Sequence, residues 1–290
     1  MTNSNLKVST DTRSVNRPLL FLSTLILAPF SALRAHRSLT YQLAKRDVLG
    51  RYRGASFGLL WALMSPFFML MVYTFAFGTV LKSRWPQIET RSAHYSIILF
   101  VGILIHGFFA ECLTRAPGLV ISNSNYVKRV IFPLEVLPWP MALSALFHTG
   151  MNVAVFIILQ LILDGNMAWT IVFLPIVIFP LFVMMLGISW FMAAVGVYFR
   201  DISQITSVLA TAMFFLSSAI IPTEAIPQSY RWIFFINPIT FIINQARNVM
   251  LWQELPDWLG LGIYFVVAIV VAHLGYMFFE KTKRGFADVL

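Results

Sequence analysis

The sequence predicts an all-α polytopic membrane protein, with six transmembrane helices, N-terminal interfacial helices and a re-entrant helix pair before the last span. Three observations carry this. Hydrophobic residues make up 59% of the 290, charged residues only 11%, and the mean hydropathy is +0.78, which excludes a water-soluble globule. From Gly54 to Leu81 no residue is charged, a run of about 28 residues against the ~20 that a helix needs to cross a bilayer core. Lys45, Arg46, Arg51 and Arg53 stand directly before that run. Lys and Arg are retained on the cytoplasmic side, so the N-terminus is expected there.

The net charge of +9 would suggest nucleic acid in a soluble protein. Here the cations flank apolar spans, where they act as topology signals and meet anionic lipid headgroups, so no nucleic-acid partner is expected. The single cysteine, Cys112, excludes an internal disulfide and a thiolate metal cluster, and reads as a buried apolar filler. No His or Cys spacing matches a metal site.

Residues 1–18 are polar and read as a disordered cytoplasmic arm. Residues 19–53 are expected to form interfacial amphipathic helices, and 54–290 the six-span domain. The apolar run 19–32 holds only about 14 residues and contains Pro29, too few to span. A signal peptide and an interfacial helix both fit its pattern. The second is preferred: cleavage near Arg34 and Ala35 is a poor small-residue site and would export Arg37 to Arg53. A second basic helix is predicted over 38–49, with Ser38 as its cap.

The six spans fall at about 57–81, 95–113, 141–163, 170–198, 202–221 and 257–279. On the first, Phe57, Trp61, Phe68 and Phe75 lie within roughly 40° of one another. The second carries Glu111 and Arg115, spaced as a local i, i+4 ion pair, and His106, which reads as a hydrogen-bonded structural group. Ser144, His148 and Asn152 form a polar ridge on the third. On the fifth, Ser203, Ser207, Thr211, Phe214 and Ser218 fall within roughly 80° of arc. Both stripes fit a helix-packing face as well as the wall of a passage.

Residues 222–256 decide the topology. Asn237, Pro238, Asn244, Gln245, Arg247 and Asn248 interrupt the apolar stretch, and a crossing would expose them to lipid. Read as two short helices dipping into the outer leaflet and broken at Asn237 and Pro238, the segment leaves six spans and both termini in the cytoplasm. Sixteen of the 21 Lys and Arg then lie inside and five outside.

Some chemistry is missing. No Gly-Lys pair occurs, so there is no Walker-type phosphate loop, and no ATP hydrolysis by that route. Glu111, near the end of its span, is the sole carboxylate inside a predicted span apart from Asp257 at the first residue of the last, which disfavours a proton- or sodium-driven transporter. Clustered acids and histidines of a membrane enzyme are lacking as well. A passive conduit driven by another protein remains.

Arg46-Asp47, Arg51-Tyr52-Arg53, Gly58-Leu59-Leu60-Trp61, Pro66 and Phe75-Ala76-Phe77-Gly78 resemble the start of the permease subunit of type-2 ABC exporters. The run from Asn123 to Pro133, Tyr198-Phe199-Arg200-Asp201 and Pro222-Thr223-Glu224-Ala225-Ile226-Pro227 extend the resemblance over nearly the whole chain from Ala44, within the subgroup that exports O-antigen, capsule or teichoic acid. The resemblance implies pairing with a second copy and with two ATP-binding cassette subunits, which bind the ATP and Mg²⁺; this chain itself needs no cofactor. It implies a bacterial inner-membrane location and, as substrate, a polysaccharide carried on undecaprenyl pyrophosphate. The loop 114–140, with Asn125, Tyr126, Lys128 and Arg129, would be the part that docks on the ATPase, and 222–256, with Asn237 and Pro238, an external gate. Arg46, Arg51 and Arg53 are candidates for the pyrophosphate or lipid headgroups by charge-assisted hydrogen bonds, and equally for plain topology signals. Phe57, Trp61, Phe68, Phe75, Ser207, Thr211, Phe214 and Ser218 are candidates for the channel lining, where aromatic faces would stack on sugar rings and hydroxyls exchange hydrogen bonds. A permease of the same class for a drug or lipid is the alternative; a secondary transporter ranks below it.

Overall fold

The computed structural model describes residues 30–80, 95–127, 132–223 and 226–290. The expected arm 1–18, most of the apolar run 19–32, and Lys128 and Arg129 lie outside the described residues. The described residues are helical throughout, with no strand among them.

After a helical stretch at 30–35, α1 covers Arg37–Arg51 and α2 covers Trp61–Tyr73, entered by a 3-10 turn and prolonged as a π-helix over Thr74–Val80. Then come α3 (Tyr95–Arg115), the short α4 (Ser124–Val127), α5 (Pro138–Asp164), α6 (Leu174–Tyr198) and α7 (Ile202–Phe215). Two short helices follow, α8 (Gln228–Ile236) and α9 (Pro238–Arg247), and then α10 (Trp258–Thr282) and α11 (Phe286–Val289). Among the described residues, five stretches are long and apolar enough to cross a membrane: Gly58–Ala76, Tyr95–Arg115, Leu134–Ile162, Trp169–Tyr198 and Trp258–Val289.

The core lies along α3 and α6. Val177, Leu181, Val183, Met185 and Trp190 on α6, and Ile98, Val101 and Ile105 on α3, are sealed from solvent. α6 and α10 lie against each other at backbone contact. A Cβ on Gly187 would stand 2.5 Å from the Ala272 Cα, and one on Gly275 would strike the Gly187 carbonyl. Trp190 meets Tyr276 edge-on at 5.3 Å beside that seam. Small residues let helix backbones approach where lipid supplies no hydrophobic drive. α5 ends at Gly165, whose φ of 66° suits a residue without Cβ.

Three expectations shift. Ser38 is not a cap: α1 begins one residue before it, and its hydroxyl accepts from the Gln42 amide at 3.4 Å, inside the helix. The third helix starts at Pro138, because proline at the first helical position forfeits no hydrogen bond. The fifth helix stops at Phe215 rather than running to 221. It stops because side chains from elsewhere take the carbonyls that the next turn would use, as the following geometry shows.

Candidate functional site

The residues singled out from the sequence fall into three groups. The first is polar and gathers where α1 meets the C-terminal end of α3. Glu111 is its hub, with 15% of its side chain exposed. One oxygen accepts from Arg51 Nη2 at 2.7 Å and from Arg115 Nη1 at 2.9 Å, and His148 Nδ1 lies 3.1 Å from the other. Arg115 also donates to both Asp47 oxygens at 2.7 Å. The i, i+4 pair expected between Glu111 and Arg115 therefore exists as one edge of a five-residue network across α1, α3 and α5. Charge-assisted bonds of this length are about twice as strong as neutral ones.

A cavity of about 560 Å³ opens beside the network. Arg51, Tyr52, Trp61, Ser65, Glu111, His148 and Asn152 line it, so His148 and Asn152 of the α5 ridge face a pocket here while Ser144 is buried. Burial pushes the Tyr52 phenol above its ordinary value, outweighing the opposing pull of Arg51, and the ring stays neutral. Arg51 reaches this cavity already paired. Arg46 is directed elsewhere: its Nη1 donates to the Tyr126 hydroxyl at 2.7 Å. Arg53 is exposed and makes no ion pair among the described residues. Asn125 is exposed beside Tyr126 on α4. The structure thus separates the three arginines, and joins one to the loop residue Tyr126.

The second group is the pair of stripes. Phe57, Trp61, Phe68 and Phe75 are exposed to between 37% (Trp61) and 64% (Phe75), on a helix that buries little of itself in the chain. On α7, Ser207 and Thr211 are exposed, and their hydroxyls donate to the carbonyls of Ser203 and Ser207, one turn back. Phe214 is half-buried, its ring 4.7 Å from the imidazole of His106. His106 Nε2 donates to the Ala210 carbonyl at 2.9 Å, fixing α3 to α7 as a structural hydrogen bond. Ser218 does not join the stripe. It lies past the end of α7, fully buried, with its hydroxyl 3.4 Å from the Thr240 carbonyl.

The third group, at the other end of the bundle, is built around residues 216–220. Asn237 Nδ2 donates to the carbonyls of Met213 (2.9 Å) and Leu216 (3.0 Å), while its Oδ1 accepts the Ile239 N–H at 3.2 Å. One side chain thus caps the start of α9 and the end of α7. Arg247 is 2% exposed and donates to Ser218 (2.6 Å), Ala219 (2.9 Å) and Ile98 (3.2 Å) carbonyls. Tyr95 donates to the Ile220 carbonyl at 3.1 Å. Gly102 makes room, since a Cβ there would lie 2.6 Å from the Ala219 carbonyl oxygen and 2.7 Å from the guanidinium. The sequence marked Asn237 as the break between two short helices, and the break is there. It read Arg247 as a charge to be kept out of lipid; the structure instead gives it to backbone carbonyls. That pairing has no local spacing signal, for its partners lie 28, 29 and 149 residues away.

Long apolar helices, with a network of ion pairs at one end and a broken helix pair at the other, define a multi-pass membrane protein. Residues 38–251 match the ABC-2 type transporter family, and the chain belongs to that family. It is similar to the "O-antigen export system permease protein RfbA" of Myxococcus xanthus, at 25% identity over 255 residues, 87% of this chain and 95% of the relative. Two Klebsiella pneumoniae proteins of the same name match over 250 residues at 24% and 22% identity, covering 86% of this chain and 93% of each relative.

Proposed function

We propose that this chain is the channel-forming subunit of an ATP-driven exporter that moves a lipid-linked polysaccharide, O-antigen on undecaprenyl pyrophosphate, across the bacterial inner membrane. The observation that carries the reading is the end-to-end likeness to three relatives named as O-antigen export permeases. The exposed stripe of Phe57, Trp61, Phe68 and Phe75 agrees with it, since an aromatic wall left uncovered in one chain is suited to a second copy or a passing glycan. The working unit is then two copies of this chain with two ATP-hydrolysing subunits docked on the loop 114–140.

In this reading α7 and the residues that follow it to 221 make the fifth of six crossings, α8 and α9 form the external gate, and both termini face the cytoplasm. The cationic end of the chain supports that orientation. Transport would need a path that attracts sugars weakly and nowhere tightly, which aromatic faces and self-bonded hydroxyls provide. The test is a reconstituted complex of this chain with its cognate ATPase in liposomes. Lipid-linked glycan is expected to stimulate ATP hydrolysis and to cross the bilayer. Hydrolysis indifferent to the glycan, with stimulation by a lipid or drug instead, would overturn the substrate assignment.

A further inference from the structure

Three side chains within two turns of α1 reach three different places. Asp47 is held by Arg115, and Arg51 by Glu111, both on α3. Arg46 alone reaches the loop that follows α3, through its 2.7 Å bond to Tyr126. α1 then passes into α2 by a turn whose backbone N–H groups at Tyr52, Ala55 and Gly58 find carbonyls at Leu49, Tyr52 and Ala55. With 15 residues, α1 is a rod of about 22 Å, joined end-on to the first span.

These contacts differ in kind. The Asp47 and Arg51 contacts are ion pairs set into the network around Glu111. The Arg46–Tyr126 bond is exposed, with a neutral acceptor, so it is the one that water can break and remake. Tyr126 is nevertheless not a loose ring. It lies flat on Phe132, centroids 4.3 Å apart and planes 9° from parallel, and the Arg46 guanidinium sits 5.9 Å from its centroid. The far side of the loop is anchored. The Glu135 carbonyl accepts from Trp190 Nε1 at 2.9 Å, and the Glu135 carboxylate meets Lys283, which also meets Glu280. The stretch around Glu135 is therefore fixed to α6 and to the residue that follows α10, while Tyr126 is joined to α1 through Arg46.

We infer that the Arg46–Tyr126 contact carries movement of the loop 114–140 to α1 and so to the first span, and that Arg46 is a positioning residue for coupling rather than a headgroup ligand. The inference rests on the proposed docking of an ATPase on this loop. A push on the loop pivots it about Glu135 and displaces Tyr126. The guanidinium follows, and α1 moves with it against the aromatic span.

The test uses the full complex with its ATPase in liposomes loaded with lipid-linked glycan, reading ATP hydrolysis and glycan movement in one preparation. Tyr126→Phe keeps the ring and its stacking on Phe132 and deletes the acceptor alone. In preparations matched for bound ATPase, Tyr126→Phe and Arg46→Gln are each expected to lower glycan moved per ATP about fivefold. The double variant should be no worse than the poorer single, and Arg46→Lys should recover part of the loss. Normal transport in Tyr126→Phe, or losses that multiply in the double variant, would overturn the inference while leaving the function intact. Failure of Arg46→Gln alone would return Arg46 to the headgroups. A wild-type complex that moves no glycan would overturn the function itself. Hydrogen exchange on the chain alone gives an arm free of substrate: Tyr126→Phe is expected to speed exchange across 37–51, and unchanged exchange counts against the contact.

Discussion

Two spans of comparable apolarity sit in opposite surroundings. Tyr95–Arg115 has 67% of its membrane stretch buried inside the chain, and Gly58–Ala76 only 11%. Hydropathy therefore puts a helix into the membrane without deciding what it packs against. What separates the two is the residues between the leucines and phenylalanines. The buried span carries Gly102 under the Arg247 guanidinium, His106 bonded to the Ala210 carbonyl, and Glu111 and Arg115 in the network with α1 and α5. Each is a fixed partner on another helix. The exposed span offers Phe57, Trp61, Phe68 and Phe75 along one face, each of them partly open in the chain.

The comparison breaks hardest where backbone meets backbone. Gly187→Leu places its Cβ against the Ala272 main chain, which has no rotamer to yield. Overpacking costs about 1–3 kcal/mol where side chains can shift, and more where they cannot. Loss of the folded protein from the membrane fraction is expected, and normal yield with an unchanged melting temperature in detergent would show that α6 and α10 are not seated as described. Arg247→Met comes next. It leaves the carbonyls of Ser218, Ala219 and Ile98 without their donor in a buried place, at about 3–5 kcal/mol. The melting temperature should fall sharply, and Arg247→Lys should restore little, because one ammonium cannot span three carbonyls set for a planar fork.

Glu111→Gln is a step smaller. The amide keeps its shape and one acceptor but gives up the charge that Arg51, Arg115 and His148 share, a loss of about 2 kcal/mol. Asp47→Asn should cost less, since among the described residues Asp47 pairs with Arg115 alone and is twice as open to water. Thermal melts of the two variants in one detergent check the order; equal shifts would deny Glu111 its place as hub.

The sequence made the helices and their approximate ends legible because length, hydropathy and proline placement are local. The break at Asn237 was legible for the same reason, since Asn followed by Pro both caps and interrupts. What was not legible lies in partners far apart along the chain. Nothing near Ser207 signals that the helix must stop at Phe215, because the groups that stop it are Asn237, Arg247 and Tyr95. Nothing near Arg46 separates it from Arg51 and Arg53. Three arginines that read alike one after another end as a tether to Tyr126, a partner of Glu111, and an exposed cation.

The smallest structural effect is expected on the exposed side of the comparison. Trp61→Ala with Phe68→Ala removes two large rings that are 37% and 47% exposed in the chain, so less apolar area is returned to solvent on unfolding than from a core pair. Their ring partners are close in sequence, Trp61 meeting Phe57 at 6.1 Å and Phe68 meeting Phe67 at 6.0 Å, and Trp61 also lines the cavity beside Glu111. The double variant should melt within about 1 kcal/mol of the unaltered chain. Under the proposed function it should also lower glycan export strongly, and the split between the two readouts is what matters. A core helix shows the reverse, with stability and transport lost together. If the double variant melts early, the stripe packs within the chain and the first span belongs with α3 and α6 after all. If it melts normally and exports normally, the stripe faces lipid, and the wall of the passage must be sought on α7 beside Ser207 and Thr211.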